Sequence, residues 1–313
     1  MKIITLTLNP AFDLHLYMDT LCPLADNVAH TARREAGGKG VNLTRALAAG
    51  GLESLAYLLL PRESEREYLS ALEGDGILPI YDTVMGFVRE NINIHTRDGD
   101  TVIATEGSPI TAADVERVEQ TLLHRVDSDT CLVFSGGIPK GSCKVEIISF
   151  LAKARERGAR LVLDSRSLTK DEIFGLSPYL IKPNIDEMSA LLGERLDGIR
   201  DAVPAAEGLF RDFCGAVENL IITAGAEGSA LVTKSGAYKA LPPKIEAISA
   251  VGAGDSTVAG FLAAVNAGLS DLDKLRLATA FGASACLEEG TKPPRPESIL
   301  ELYPAVNVEK INI

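Results

Sequence analysis

The chain has 313 residues, 46% of them hydrophobic, which suits one large domain with a sizeable core. Lysine and arginine number 31 against 43 aspartates and glutamates, for a formal net charge of −12. That balance argues against nucleic acid or an anionic membrane as partner, since both need a basic face, and leaves open a small anion met by a local group of donors.

Short apolar runs alternate with helical patterns along the chain. Core strands are predicted at 3–8, 55–60, 131–134, 161–163, 179–181, 220–223 and 230–233. Helices are predicted near 40–50, 64–73, 111–125, 143–157, 185–193 and 201–215, and the chain reads as all-helical from about 255 to 289. The strands are nearly continuous Leu, Val and Ile, as expected when both faces are buried, and strand–helix alternation predicts a mostly parallel sheet with helices on both faces. Two stretches, about 14–32 and 86–106, mix polar and apolar residues. The second alternates, with a hairpin turn predicted at Asp98-Gly99. Both are expected to form a small separate sheet at one edge of a single domain spanning 1–313.

Five scattered cysteines (Cys22, Cys131, Cys143, Cys214, Cys286) form no C-x-x-C pair, and four histidines complete no zinc pattern. Free thiols in a reducing compartment are expected. The N-terminus reads as a strand without signal-peptide anatomy, and no apolar run is long enough to cross a bilayer, so the expected location is cytoplasmic.

Gly136-Gly137-Ile138-Pro139-Lys140-Gly141-Ser142 lacks the lysine of a P-loop, and Gly252-Ala253-Gly254-Asp255-Ser256-Thr257 lacks the third glycine of a dinucleotide loop. Neither is such a loop, and four segments remain, each at a predicted strand or helix end, where open α/β sheets bind ligands. They are Asn9-Pro10-Ala11-Phe12-Asp13, Gly37-Gly38-Lys39-Gly40-Val41-Asn42, Lys182-Pro183-Asn184-Ile185-Asp186-Glu187, and Val251-Gly252-Ala253-Gly254-Asp255-Ser256. Singly, each has a plain alternative. Asp13 and Asp164 read as turn or cap carboxylates, Asn184 as a helix N-cap, Asp255 as a complement to a helix dipole, and Arg89 as a solvated hairpin residue.

Together, and in order over essentially the whole chain, the four segments resemble the ribokinase-like (PfkB) sugar kinases. Ser135-Gly136-Gly137-Ile138-Pro139-x-Gly141 is similar to a further loop of that family, with Gly137 in place of a serine. The resemblance implies a three-layer α/β/α ribokinase-like fold with a mostly parallel central sheet and a small β-sheet lid. It implies an ATP- and Mg²⁺-dependent phosphotransferase with an alcohol acceptor. Gly252, Ala253 and Gly254 would form an anion hole, and Asp255 would take the proton of the attacking hydroxyl. Asp13, Gly38 and Asn42 would hold sugar hydroxyls, while Lys39 and Arg89 would hold a phosphate already on the sugar. Lys182, Asn184 and Glu187 would lie along the ATP phosphates, with Glu187 and Asp164 reaching Mg²⁺ through water. Thr223, Gly225, Gly228, Val251 and Ser284 would line the nucleotide. The Asn9 and Lys39 segments most resemble the sugar-phosphate kinases of the family, which implies D-fructose 1-phosphate as acceptor, with tagatose 6-phosphate or fructose 6-phosphate as alternatives. The resemblance also implies a homodimer paired through the lid sheet. A non-catalytic sugar-phosphate sensor on the same fold, or a nucleoside kinase, remains open at this stage.

Three departures stand out. Leu24-Ala25-Asp26-Asn27 replaces the family's Gly-Glu-Val-Asn, Ala250 replaces a threonine, and Asp164-Ser165-Arg166-Ser167 brings in Arg166, either a further phosphate ligand or a solvated side chain.

Overall fold

A computed structural model describes residues 1–212 and 216–311; Cys214 and the end of the helix expected to reach 215 lie outside them. In chain order the strands are β1 (Lys2–Thr7), β2 (Ala11–Tyr17), β3 (Thr31–Gly37), β4 (Leu55–Pro61), β5 (Ile80–Val84), β6 (Arg89–Thr96) and β7 (Gly99–Ala104). They continue with β8 (Thr130–Ser135), β9 (Arg160–Asp164), β10 (Leu180–Ile181), β11 (Asn219–Thr223), β12 (Ser229–Thr233), β13 (Gly236–Leu241) and β14 (Asn307–Ile311). The helices are α1 (Lys39–Ala49), α2 (Glu65–Gly74), α3 (Ala112–Leu122), α4 (Lys144–Glu156) and α5 (Lys170–Gly175). After them come α6 (Ile185–Leu192), α7 (Ile199–Asp212), α8 (Ala253–Asn266), α9 (Asp271–Ala285) and α10 (Pro296–Leu302).

Ten strands form the main sheet in the order β14-β13-β12-β11-β10-β9-β8-β1-β4-β5. From β11 to β5 all pairings are parallel, and β12, β13 and β14 add an antiparallel edge. Period-two side-chain direction divides each strand between two cores. Leu132 and Phe134 of β8 join Leu161 and Leu163 of β9 under helices α3 to α7, while Cys131, Val133 and Val162 face α1, α8, α9 and α10. This is the three-layer α/β/α arrangement expected. Most residues of these runs are buried because both faces are covered, and all seven core strands appear where the apolar runs predict them.

The polar stretches form a second, four-stranded sheet in the order β3-β2-β6-β7. Its strands run beyond the polar stretches, starting at Ala11 and returning to Gly37, so that the sheet feeds directly from β1 and into α1. The β6–β7 turn is Arg97-Asp98, one residue earlier than predicted: Thr96 pairs with Gly99, whose φ of +132° is a conformation that favours glycine.

Candidate active site

Parallel strands bring their carboxyl ends to one edge, and there the expected segments meet. β1 ends before Asn9, β8 at Ser135, β9 at Asp164, β10 before Lys182 and β11 at Thr223. Two helices start at the same edge. α1 follows Gly38 (φ +116°) and α8 follows Gly252 (φ +77°), and neither start is capped by a side chain. An uncapped N-terminus leaves backbone N–H groups free for an anion. α6, by contrast, is closed by a capping box: Asn184 Oδ1 accepts from the Glu187 N–H at 2.8 Å, and Glu187 Oε2 accepts from the Asn184 N–H at 3.1 Å. Asn184 also bridges in parallel to Thr223, which joins the two segments expected along the nucleotide.

Asp164 is the electrostatic centre of this edge. It is 1% exposed and accepts from Lys39 Nζ at 3.2 Å and 3.3 Å, while Lys182 Nζ stands 3.3 Å from it. Ser135 Oγ donates to its other oxygen at 3.2 Å. Burial opposes ionisation of Asp164, but Lys182 and Lys39 outweigh it and hold the carboxyl below its ordinary range. The same balance acts on Lys39. Burial works against its charge, yet Asp164, Asp255 and Glu187 hold the ammonium group above its usual range. Lys182 also lies against Gly254, so a cation stands beside the uncapped start of α8.

Asp255 sits in the first turn of α8, 5% exposed. Burial pushes its carboxyl up to about 7, with Asp164 adding to the rise; Lys39, Lys182 and hydrogen bonding from Asn42 pull the other way. A carboxylate poised near neutrality beside an anion site fits a general base.

The sugar end lies where the lid meets α1. Asp13 is buried on β2, and Asn91 Nδ2 donates to its Oδ1 at 2.7 Å; burial raises the Asp13 carboxyl, partly offset by that bond. The lid register pairs Ala11 with Arg89 and Asp13 with Asn91, which sets Arg89 and Asn91 on one face of β6, and Arg89 in turn donates to Asn91 Oδ1. Arg89 Nε is buried with no partner among the described residues, and burial, with the like charge of Arg166 adding to it and Asp13 opposing it, lowers the pKa of its guanidinium. A Cβ at Gly37 would overlap the Asp13 carboxylate, so glycine is required there for close approach.

The structure thus brings together Asp13, Gly38, Lys39, Asn42 and Arg89 on one side, and Lys182, Asn184, Glu187, Gly252, Ala253, Gly254 and Asp255 on the other. Val251 N donates to Ser249 Oγ and leads into the α8 start, and Gly225 (φ +54°) and Gly228 (φ +100°) bound a short turn after β11. Ser284 stands apart: it is fully buried, its hydroxyl directed to the Arg295 carbonyl, and it presents no surface to a nucleotide. Sequence reasoning missed Asn91 and Arg45. Asn91 lies two residues from Arg89 on a strand; Arg45 lies three residues from Asn42 on a helix, and either spacing signals a shared face. A cavity of about 660 Å³ adjoins the site and is lined by Arg166, Lys182 and Glu187, among others.

The family model described as pfkB family carbohydrate kinase matches residues 7–298. The chain is 29% identical to a 1-phosphofructokinase of Vibrio cholerae, covering 99% of this chain and 97% of that one. It is also 29% identical to a tagatose-6-phosphate kinase of Staphylococcus epidermidis, over 99% of this chain and 100% of the other. The fold superposes on phosphofructokinase-2 of Escherichia coli with a TM-score of 0.89 at 23% identity, covering 97% of this chain and 99% of that one. With a ribokinase-like sheet, a lid sheet and the family pattern running nearly end to end, the chain belongs to the pfkB family of carbohydrate kinases, phosphotransferases that act on an alcohol group.

Proposed function

We propose that the chain transfers the γ-phosphoryl group of ATP to a hydroxyl of a sugar phosphate, D-fructose 1-phosphate giving fructose 1,6-bisphosphate. The observation that carries the reading is Arg89: its Nε is buried with no hydrogen-bond partner among the described residues, beside the Asn91 that bonds Asp13. A phosphate on the sugar would answer that guanidinium, and a free sugar or a nucleoside would leave it unanswered. The relatives named 1-phosphofructokinase and tagatose-6-phosphate kinase support a phosphorylated acceptor.

Kinases of this family use ATP. In the proposed reaction the acceptor oxygen forms a bond to the γ-phosphorus, the bond from that phosphorus to the ADP oxygen breaks, and Asp255 receives the hydroxyl proton. The N–H groups at Gly252, Ala253 and Gly254 meet the charge that builds on the transferring oxygens. Asp13, Gly38 and Asn42 orient the sugar, and Lys39 and Arg89 hold its phosphate. Lys182, Asn184 and Glu187 line the ATP phosphates, with Thr223, Gly225, Gly228 and Val251 toward the nucleotide. Among the described residues no three His, Cys, Asp or Glu side chains group to hold a metal ion. Mg²⁺ would therefore rest on phosphate oxygens and water, with Glu187 and Asp164 outside that water, and would supply charge neutralisation of the phosphates. No helix among the described residues is long and apolar enough to cross a membrane. The lid leaves Leu24, Val28, Val102 and Ile103 exposed, which supports a homodimer formed lid to lid.

The test is ADP release with Mg-ATP against fructose 1-phosphate, fructose 6-phosphate, tagatose 6-phosphate, fructose and a nucleoside. The highest kcat/KM is expected with fructose 1-phosphate. A preference for a 6-phosphate would keep the chemistry and change the acceptor. Turnover confined to unphosphorylated acceptors would overturn the phosphate assignment, and tight binding without turnover would make the chain a sensor.

A further inference from the structure

We infer that Arg45 is a positioning residue for phosphoryl transfer, acting through the side-chain amide of Asn42. The inference rests on the kinase reading above. Arg45 lies on α1, 8% exposed. Its Nη1 donates to Asn42 Oδ1 at 3.0 Å, its Nη2 to the Ala36 carbonyl at 2.6 Å, and its Nε to Asp75 Oδ2 at 3.0 Å, just past the end of α2. A guanidinium presents its donors in a rigid planar fork, so bonds to three separate segments fix its place.

Asparagine has one acceptor face and one donor face. A permanent cation on Oδ1 settles which face points where: the NH₂ group turns away from Arg45 and is left to donate into the site, in keeping with the lowering that Asn42 exerts on the Asp255 carboxyl. The flipped amide would set an NH₂ group against the guanidinium, which is repulsive. Arg45 thereby selects the one orientation of Asn42 that offers a donor to the sugar and the base, while its own bonds go to Asn42, Ala36 and Asp75. The Ala36 bond steadies the same guanidinium from the lid side, directly before the Gly37 that makes room for Asp13. Beside it lies a hollow of about 1400 Å³, lined by Arg45, Asp75, Arg33 and Arg295 among others. A lysine at position 45 would carry the charge but could not span these acceptors.

The experiment is a double-mutant cycle on kcat with the preferred sugar phosphate, using Arg45→Met, Asn42→Ala and both together, with Asp255→Asn alongside. Arg45→Met is expected to lower kcat roughly ten- to a hundredfold, with the KM for ATP changed by no more than about twofold. The double variant is expected to stay within about threefold of Asn42→Ala alone, because a residue that acts through another adds little once that other is gone. Multiplying effects, or an unchanged kcat in Arg45→Met, would overturn the inference. Should Arg45→Met fail to fold, Arg45→Lys takes its place in the cycle, with a several-fold loss expected alone and none beside Asn42→Ala; a loss that persists in that background overturns the inference equally. Full turnover in Asp255→Asn would sink the kinase reading itself, whereas an inactive Asp255→Asn beside an unimpaired Arg45→Met would sink only the role of Arg45.

Discussion

The end of β9 and the start of α8 each bury one carboxylate, and they treat it in opposite ways. Asp164 closes a strand between two ammonium groups and a serine hydroxyl, and its carboxyl is held below the ordinary range. Asp255 opens a helix at the same edge, where burial dominates and pushes it up to about 7. Burial alone therefore decides nothing: the number of cations in direct contact does. A pair of acids driven apart in this way divides the labour, one permanently ionised to hold cations and one able to gain and lose a proton near neutrality.

The largest effect is expected at Asp255. Asp255→Asn should lower kcat by roughly 10²- to 10⁴-fold, the range for a missing general base. The same variant should be more stable than the parent at pH 8. A carboxyl whose folded pKa lies above its unfolded value favours folding only while protonated, so its burial becomes a cost as pH rises through about 7. Asp255→Asn should gain roughly 2–6 °C in Tm at pH 8, and the gain should shrink toward pH 4. Equal Tm differences at both pH values would remove the contrast drawn above. In the parent enzyme, kcat/KM should fall about tenfold per unit as pH drops below about 7, with the limb absent in the residual activity of Asp255→Asn.

Asp164→Asn tests the other half. It leaves Lys182, 4% exposed, without its buried counter-charge, and should cost about 3 kcal/mol or more in stability at pH 7. The sign with pH is opposite to that of Asp255. A lowered carboxyl pKa contributes stability above its unfolded value, lost as pH falls through the folded one, so the penalty of Asp164→Asn should be full at neutral pH and fade only below about pH 4. Urea unfolding at pH 7 and at about pH 2.5 measures it. A penalty that does not fade in acid would mean the loss is one of packing.

Both carboxylates were legible in the sequence as candidates, because each closes or opens an apolar run at a strand or helix end. Their difference was not, since it depends on Lys39, Lys182 and Ser135, which arrive from three other segments. The core strands were legible for the same reason that they are buried on both faces. β5, β13 and β14 were not, being half-exposed and without a continuous apolar run, and α5 and α10 are too short to show a helical period. The lid was placed by its polarity but drawn too short, because Asp13 and Gly37, at the candidate site, interrupt the strand pattern at its ends. Arg45 looked like any charged helix residue; only the meeting of α1 with Asp75 beyond α2 and with Ala36 of the lid buries it.

The smallest change separates charge from neutral hydrogen bonding at Asp164. Ser135→Ala removes the one uncharged donor among the bonds to that carboxylate and leaves both ammonium groups in place. A neutral hydrogen bond contributes about 1 kcal/mol net, so the loss in stability should be near that value and kcat should change by less than about threefold. If the cations set the acidity of Asp164, the acid limb of the stability curve should move little in Ser135→Ala. A loss as large as that of Asp164→Asn would show that the hydroxyl orients the carboxylate toward Lys39 and Lys182. The lowered pKa of Asp164 would then be a property of its geometry as much as of its neighbours' charge.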